Sequence, residues 1–261
     1  MMSLMPLAQV GDLSARLVAT DMDGTLTIAD KFTPSLLQAL ETLRARGIEV
    51  VIVTGRSAGW VHGLVHYLPI AGAIAENGSI YYSATSDQAN WLVSISDLAQ
   101  HRQHLAEVFH YLQTDFPQIQ ESADNHFRLT DWTFDIGELT PEDLQGIRDR
   151  CQAWGWGFTY STVQCHIKLQ QQSKATGLQQ VLAQWFQACP VEQVVTVGDS
   201  PNDESLFDAE LFPVSVGVAN IYHYCDRLQH LPTYITLAPE GEGFCELSQR
   251  IKPAPIRSSH G

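Results

Sequence analysis

Short apolar runs alternate with amphipathic helical stretches near both ends of this chain, and that alternation restricts the fold more than any other feature. "LVAT" (Leu17–Thr20) precedes "TPSLLQALETLRARG" (33–47), where Thr33 can cap a helix, Pro34 fits its first turn, and Leu36, Leu37, Leu40 and Leu43 share one face. "IEVVIVTG" (48–55) reads as a strand buried on both faces and "SAGWVHGLVHYL" (57–68) as a second helix. Strand, helix, strand, helix with two-sided apolar strands predicts an α/β fold, a parallel sheet covered by helices.

"AIAENGSIYY" breaks this rhythm, because Asn77-Gly78 between two apolar runs is a hairpin signal. Strand-like runs "NWLVSI", "FRLTDWTFDI" and "WGFTYS" then surround two helical stretches, and "VQCHIKL" follows. Paired strands with helices predict an inserted α+β unit, placed at 83–162, with 1–82 and 163–261 forming the core. Within it, His101 and His104 read as exposed positions of the long first helix. The α/β rhythm resumes with "SKATGLQQVLAQWFQA", "QVVTVGD", a short helix "NDESLFDA", and the strands "FPVSVGV" and "TYITL". A helix "GFCELSQRI" and a loose tail "KPAPIRSSHG" close the chain.

A net charge of −14 argues against nucleic acid or an anionic membrane surface as the main partner. A phosphorylated ligand would then need local positive charge or a metal. No run of 18 apolar residues is present to span a bilayer, and the first residues lack the basic segment of a secretion signal. Five scattered cysteines predict a reducing, cytoplasmic setting without a disulfide framework or a zinc site. His62 and His66 stand at helical i,i+4 spacing, but the sequence offers them no third metal ligand.

Asp21 and Asp23 end the first strand, where open α/β sheets place their ligand crevices. Two close carboxylates repel unless a cation or shared proton relieves them. Thr54, Lys174 and Asp199 occupy comparable edges of predicted core elements. Together they suit phosphoryl transfer: one carboxylate attacks phosphorus, the second moves a proton, and Mg²⁺ with an ammonium offsets the negative charge.

In order, "DMDGTLT", "VIVTGRS", "SKATGL" and "GDSPND" resemble the four motifs of the haloacid dehalogenase-like (HAD) hydrolases. The insertion is similar to the α/β cap of their sugar-phosphatase branch, which includes sucrose-phosphate phosphatase-like enzymes. The resemblance implies a Rossmann-like HAD core and a Mg²⁺-dependent phosphohydrolase acting on a small phosphorylated metabolite, a sugar phosphate. It implies Asp21 as nucleophile and metal ligand, and Asp23 as acid/base with its carbonyl on the metal. Thr54 and Lys174 would hold the phosphoryl group, and Asp199 would bind Mg²⁺. Asn202 and Asp203 would order the metal's water shell or Lys174. Gly24, with its amide toward the phosphate, and Gly55, Arg56, Asn77 and Asn202 would line the substrate site.

Arg56 could meet a second anionic or hydroxylated group of the substrate. In the insertion, His126, Arg128, Asp131, Trp132, His166 and Lys168 are polar or aromatic candidates for substrate contact. Ala175 departs from the glycine that usually follows the lysine, a change in packing more than chemistry. An acid/base Asp at position 23 favours phosphomonoester hydrolysis or a mutase reaction. A phosphosugar mutase and a non-catalytic partner of a sugar synthase remain open alternatives, as does the oligomeric state.

Overall fold

The computed structural model describes residues 4–255. In chain order the elements are β1 (Met5–Pro6), β2 (Leu13–Ala15), β3 (Leu17–Thr20), α1 (Pro34–Ala45), β4 (Glu49–Val53), α2 (Ala58–Tyr67), β5 (Gly72–Ala75), β6 (Ile80–Ser83) and β7 (Ala89–Trp91). There follow α3 (Leu98–Asp115), β8 (Trp132–Asp135), α4 (Pro141–Ala153), β9 (Trp156–Tyr160), β10 (Gln164–Leu169) and α5 (Lys174–Trp185). The chain continues with β11 (Val194–Gly198), β12 (Ser215–Gly217), β13 (Tyr234–Ile235), α6 (Glu240–Arg250) and β14 (Ile251–Pro253).

Nine strands form the main sheet in the order β1-β13-β12-β11-β3-β4-β5-β6-β7. It is parallel from β1 to β5 and turns antiparallel at β6 and β7. Side chains alternate across the sheet: Val50 and Ile52 pack with Leu36, Leu40, Val61 and Phe244, while Val51 and Val53 pack with Leu178 and Val181. Helices thus cover both faces, which is why β3 and β4 carry uninterrupted apolar runs.

The register sets the carboxyl ends of the three central strands side by side, with Val197 paired to Thr20 and Thr20 paired to Ile52. Asp199, Asp21 and Thr54 emerge there as neighbours. The β5–β6 hairpin brings in a fourth element. A Cβ on Gly78 (φ +108°) would lie 1.9 Å from the Ser173 carbonyl oxygen, and a Cβ on Gly177 would lie 2.6 Å from the Gly78 Cα. Glycine at both positions lets the hairpin tip press on the start of α5, which fixes Lys174 at the same edge.

The inserted α+β unit has its own antiparallel sheet, β8-β10-β9, packed by α3 and α4 around Leu105, Phe109, Phe134, Ile147 and Ile167. Its limits differ from the expected 83–162. β7 pairs with β6 in the main sheet, and β10 bonds to both β8 and β9, so Gln164–Leu169 belongs to the insertion. Periodicity marks a strand but not its partner, so the boundary was displaced at both ends.

Other local differences have local causes. The expected strand 127–136 is regular only over Trp132–Asp135, because Arg128–Asp131 turns inward to make polar contacts. The expected helix after Asp199 is a 3-10 segment, Pro201–Leu206, whose Asp203 side chain caps it. The start of the expected loose tail is strand β14, paired with β2, while 256–261 lie outside the described residues. His101, expected exposed, is buried with Nε2 2.9 Å from the Thr130 carbonyl oxygen.

Candidate active site

Lys174 is the centre of the cluster at the strand ends. Its Nζ donates to Asp21 Oδ1 (2.5 Å) and to Asp203 Oδ1 (2.6 Å), and its side chain is fully buried. Asp203 Oδ2 accepts from the amides of Asp199 (2.9 Å) and Ser200 (3.1 Å). Asp203 therefore holds the lysine and the Asp199 loop, and Asn202 points elsewhere, donating to Asn77 Oδ1 (3.2 Å).

Asp199 is fully buried and accepts from Thr25 Oγ1 (3.2 Å) and Asn220 Nδ2 (2.8 Å). Gly24, at φ +77°, is required for this approach, since a Cβ there would lie 2.5 Å from Asp199 Oδ2. The expected role of its amide is corrected: Gly24 N donates to Thr27 Oγ1 (3.0 Å), closing its own loop. Its carbonyl oxygen accepts from Asn220 (3.0 Å).

Three buried carboxylates face one ammonium in this cluster, and oxygens of Asp21, Asp199 and Asp203 lie within 4.8 Å of one another. Burial foremost, then Asp203, raises the Asp21 carboxyl to about 7 against the pull of Lys174. Burial, then Asp21 and Asp203, push Asp199 well above the usual carboxylate range. Burial opposes the Lys174 charge, but Asp203 and Asp21 hold its proton more tightly than usual. The excess negative charge and all-oxygen donor set fit a hard divalent cation such as Mg²⁺.

Asp23 lies apart from the carboxylate cluster. Arg56 grips it through Nε (2.8 Å) and Nη2 (2.6 Å), so the arginine expected to face substrate is already paired. Thr54 is fully buried, its Oγ1 accepting from the Arg56 amide (3.1 Å). Asp21, Asp23, Thr54, Gly55, Arg56 and Asn202 line a narrow pocket whose other wall is the inserted unit, through Ser161, Val163, Gln164 and His166. About 10 Å³ of space remains, room for roughly one water. A larger cleft, about 590 Å³, lined by Arg44, Val65, Tyr81 and Trp185 among others, contains none of the motif residues.

A model for haloacid dehalogenase-like hydrolases matches residues 18–131. That segment of the chain, which carries the first two motifs, is similar to the haloacid dehalogenase-like hydrolases. The chain is 28% identical over 240 residues to phosphoglycolate phosphatase 1 of Saccharolobus solfataricus, covering 90% of this chain and 95% of that one. It is 26% identical to the phosphoglycolate phosphatase of Methanothermobacter thermautotrophicus, covering 90% and 98%. A Thermoplasma acidophilum structure superposes at TM-score 0.71 with 20% identity, covering 90% and 97%. The sucrose-phosphatase of Synechocystis superposes at 0.65 with 17% identity, covering 90% and 96%, and shares the fold.

Several residues of this region carry no motif signal. Glu76, at φ +47° and fully buried, accepts from the Ala58 amide, the Leu129 and Thr130 amides and the Thr130 hydroxyl, tying the core to the insertion. A glutamate beside a hairpin asparagine was its only mark in the sequence. Asn220 had no local pattern that distinguished it, while Arg128 and Asp131, candidates for substrate contact, are buried and paired with each other.

Proposed function

We propose that this chain is a Mg²⁺-dependent phosphomonoesterase that hydrolyses a small phosphorylated metabolite through an aspartyl-phosphate. The observation that carries this is Lys174 bridging Asp21 and Asp203 beside Asp199, a buried cluster with two more carboxylates than ammonium groups. Asp21, Asp199 and the carbonyl of Asp23 would hold Mg²⁺, which when bound supplies charge neutralisation for the phosphoryl oxygens.

Asp21 attacks phosphorus, forming an O–P bond as the bond to the leaving oxygen breaks. Asp23 gives that oxygen its proton, then takes one from the water that cleaves the aspartyl-phosphate. Lys174 offsets charge on Asp21 and the phosphoryl group, and Thr54 with Gly55 borders that group. Arg56 orients the Asp23 carboxylate by its two-point grip. The inserted unit acts as a cap, residues 92–172 limiting the leaving group and excluding water.

The relatives' names make a phosphorylated two-carbon acid one substrate reading. A sugar phosphate is the other, favoured by the neutral polar lining that the insertion contributes through Ser161 and Gln164. Phosphate release from a phosphomonoester panel with Mg²⁺, abolished by chelation and by Asp21→Asn, tests the activity. A mutase would instead need a bisphosphate activator and return phosphate to the substrate. A non-catalytic partner would keep its biological effect with Asn at position 21.

A further inference from the structure

The edge of the main sheet opposite the four motifs gathers a second set of metal-binding side chains. β5 runs parallel to β4, so the connecting helix α2 starts beside Thr54 and returns along the sheet, and its last turn, with His66, lies at the far edge. β6 runs antiparallel to β5 and ends at that same edge, where the β6–β7 loop presents Asp87. The histidines at i and i+4, which share one helix face, thus gain from the fold the third ligand that the sequence did not offer.

One ring nitrogen of each histidine and one carboxylate oxygen of Asp87 lie within 4.8 Å of one another. His66 Nε2 stands 3.5 Å from Asp87 Oδ1. Two atoms bound to a tetrahedral Zn²⁺ at about 2.0–2.1 Å are about 3.4 Å apart, so the His66–Asp87 spacing already suits shared coordination and the rest requires a shift of about 1.5 Å or less. The His66 and Asp87 side chains, 44% and 86% exposed, have room to make it. His62 is held more firmly, its ring 5.1 Å from that of the buried Tyr82 on β6. Its Nε2 is buried without a hydrogen-bond partner, an unpaired polar atom of the kind that a bound ion or water satisfies. The ion pair of His66 with Asp87 does nothing for it. The loop that carries Asp87 is braced as well, by the Ala84 amide on the Ala71 carbonyl (2.9 Å) and the Gln88 amide on Ser86 Oγ (3.2 Å).

We propose that His62, His66 and Asp87 form a second metal site, for a borderline divalent cation such as Zn²⁺. Two imidazoles and one carboxylate suit that class of ion, whereas the all-oxygen set of Asp21, Asp199 and Asp203 suits Mg²⁺. Three protein ligands leave a fourth position for water or for a group entering the cleft of about 590 Å³ that His66 lines. The ion ties α2 to the β6–β7 loop and stabilises the folded chain by binding it. This site stands independently of the phosphatase reading.

The test is calorimetric titration of the untagged protein with Zn²⁺, with Mg²⁺ in excess to hold the core carboxylates. Wild type should bind Zn²⁺, and its melting temperature should rise with the ion. Changes beyond the ligands of a metal site cost roughly 10–100-fold in affinity, so losing a ligand in His66→Ala or Asp87→Ala should weaken binding by about tenfold or more. Both positions are exposed, and the two variants should melt like wild type without Zn²⁺. The imidazole ¹⁵N signals of His62 and His66 should shift with Zn²⁺ and stay in place with Mg²⁺. A wild-type protein that binds no Zn²⁺, or binding that is unchanged in both variants because cysteines or core carboxylates take the ion, overturns the site. Unmoved ring signals of His62 and His66 in Zn²⁺-loaded wild type overturn it however the variants behave.

Discussion

Two buried charge clusters face each other across the pocket, and burial has opposite outcomes in them. In the core, Asp21, Asp199 and Asp203 share one lysine, and the Asp21 and Asp199 carboxyls are raised. In the insertion, burial also works against the Asp124 and Asp131 charges, but Arg128 overcomes it at both and leaves them below the usual carboxylate range. His166 adds to this at Asp131 and Gln164 at Asp124. The insertion's cluster is satisfied within the protein and acts as structure. The core's cluster is left short of positive charge, which is where a cation and a reacting phosphate fit.

The contrast can be broken most severely at Asp21. Asp21→Asn should lower turnover on the order of 10⁴-fold or more, measured as phosphate release, because the proposed nucleophile is lost. Its melting temperature should hold or rise, since the variant removes one of the crowded carboxylates.

Lys174→Met should do the reverse to stability. Three buried carboxylates would lose their ammonium, a change costing about 3–5 kcal/mol in urea unfolding. Adding Asp21→Asn to it should recover part of that loss, and a double variant no more stable than Lys174→Met would contradict the charge argument.

Lys168 sharpens the comparison from the insertion side. It is 7% exposed, and burial lowers its ammonium to about 8, Asp131 only partly opposing this. The folded value lies below the unfolded 10.5, so between them the unfolded chain binds more protons and stability rises with pH. Relative to Lys168→Met, wild type should gain about 3 kcal/mol from below pH 8 to above pH 10.5, read from denaturant melts. A flat difference would place the ammonium in water.

The smallest effect is expected at the link between the clusters. Glu76→Gln puts an amide where four donors converge, and should cost about 1–2 kcal/mol in thermal unfolding with the Asp21 chemistry intact.

The core was largely legible because its signals are local. Apolar runs gave β3, β4 and β11, Thr33 does cap α1 by accepting from the Leu36 amide, and the four motifs lie at strand or helix ends. The insertion was legible only as a rhythm, because antiparallel pairing depends on partners distant in sequence. Likewise the His62 and His66 pair lacked a third group until the fold placed Asp87 Oδ1 3.5 Å from His66 Nε2. Asn220 reaches Gly24 and Asp199 from about 200 and 20 residues away, a contact that no spacing encodes.

By itself the sequence determined the α/β core, the inserted α+β unit and the four motifs, since strand periodicity, helix capping and turn chemistry act over a few residues. Tertiary structure alone decided that Asp203 rather than Asn202 holds Lys174, that Arg56 grips Asp23, and that His166 of the insertion pairs with Asp131. Those outcomes depend on which buried polar groups find partners, and in a dry interior that is settled only when the whole chain has packed.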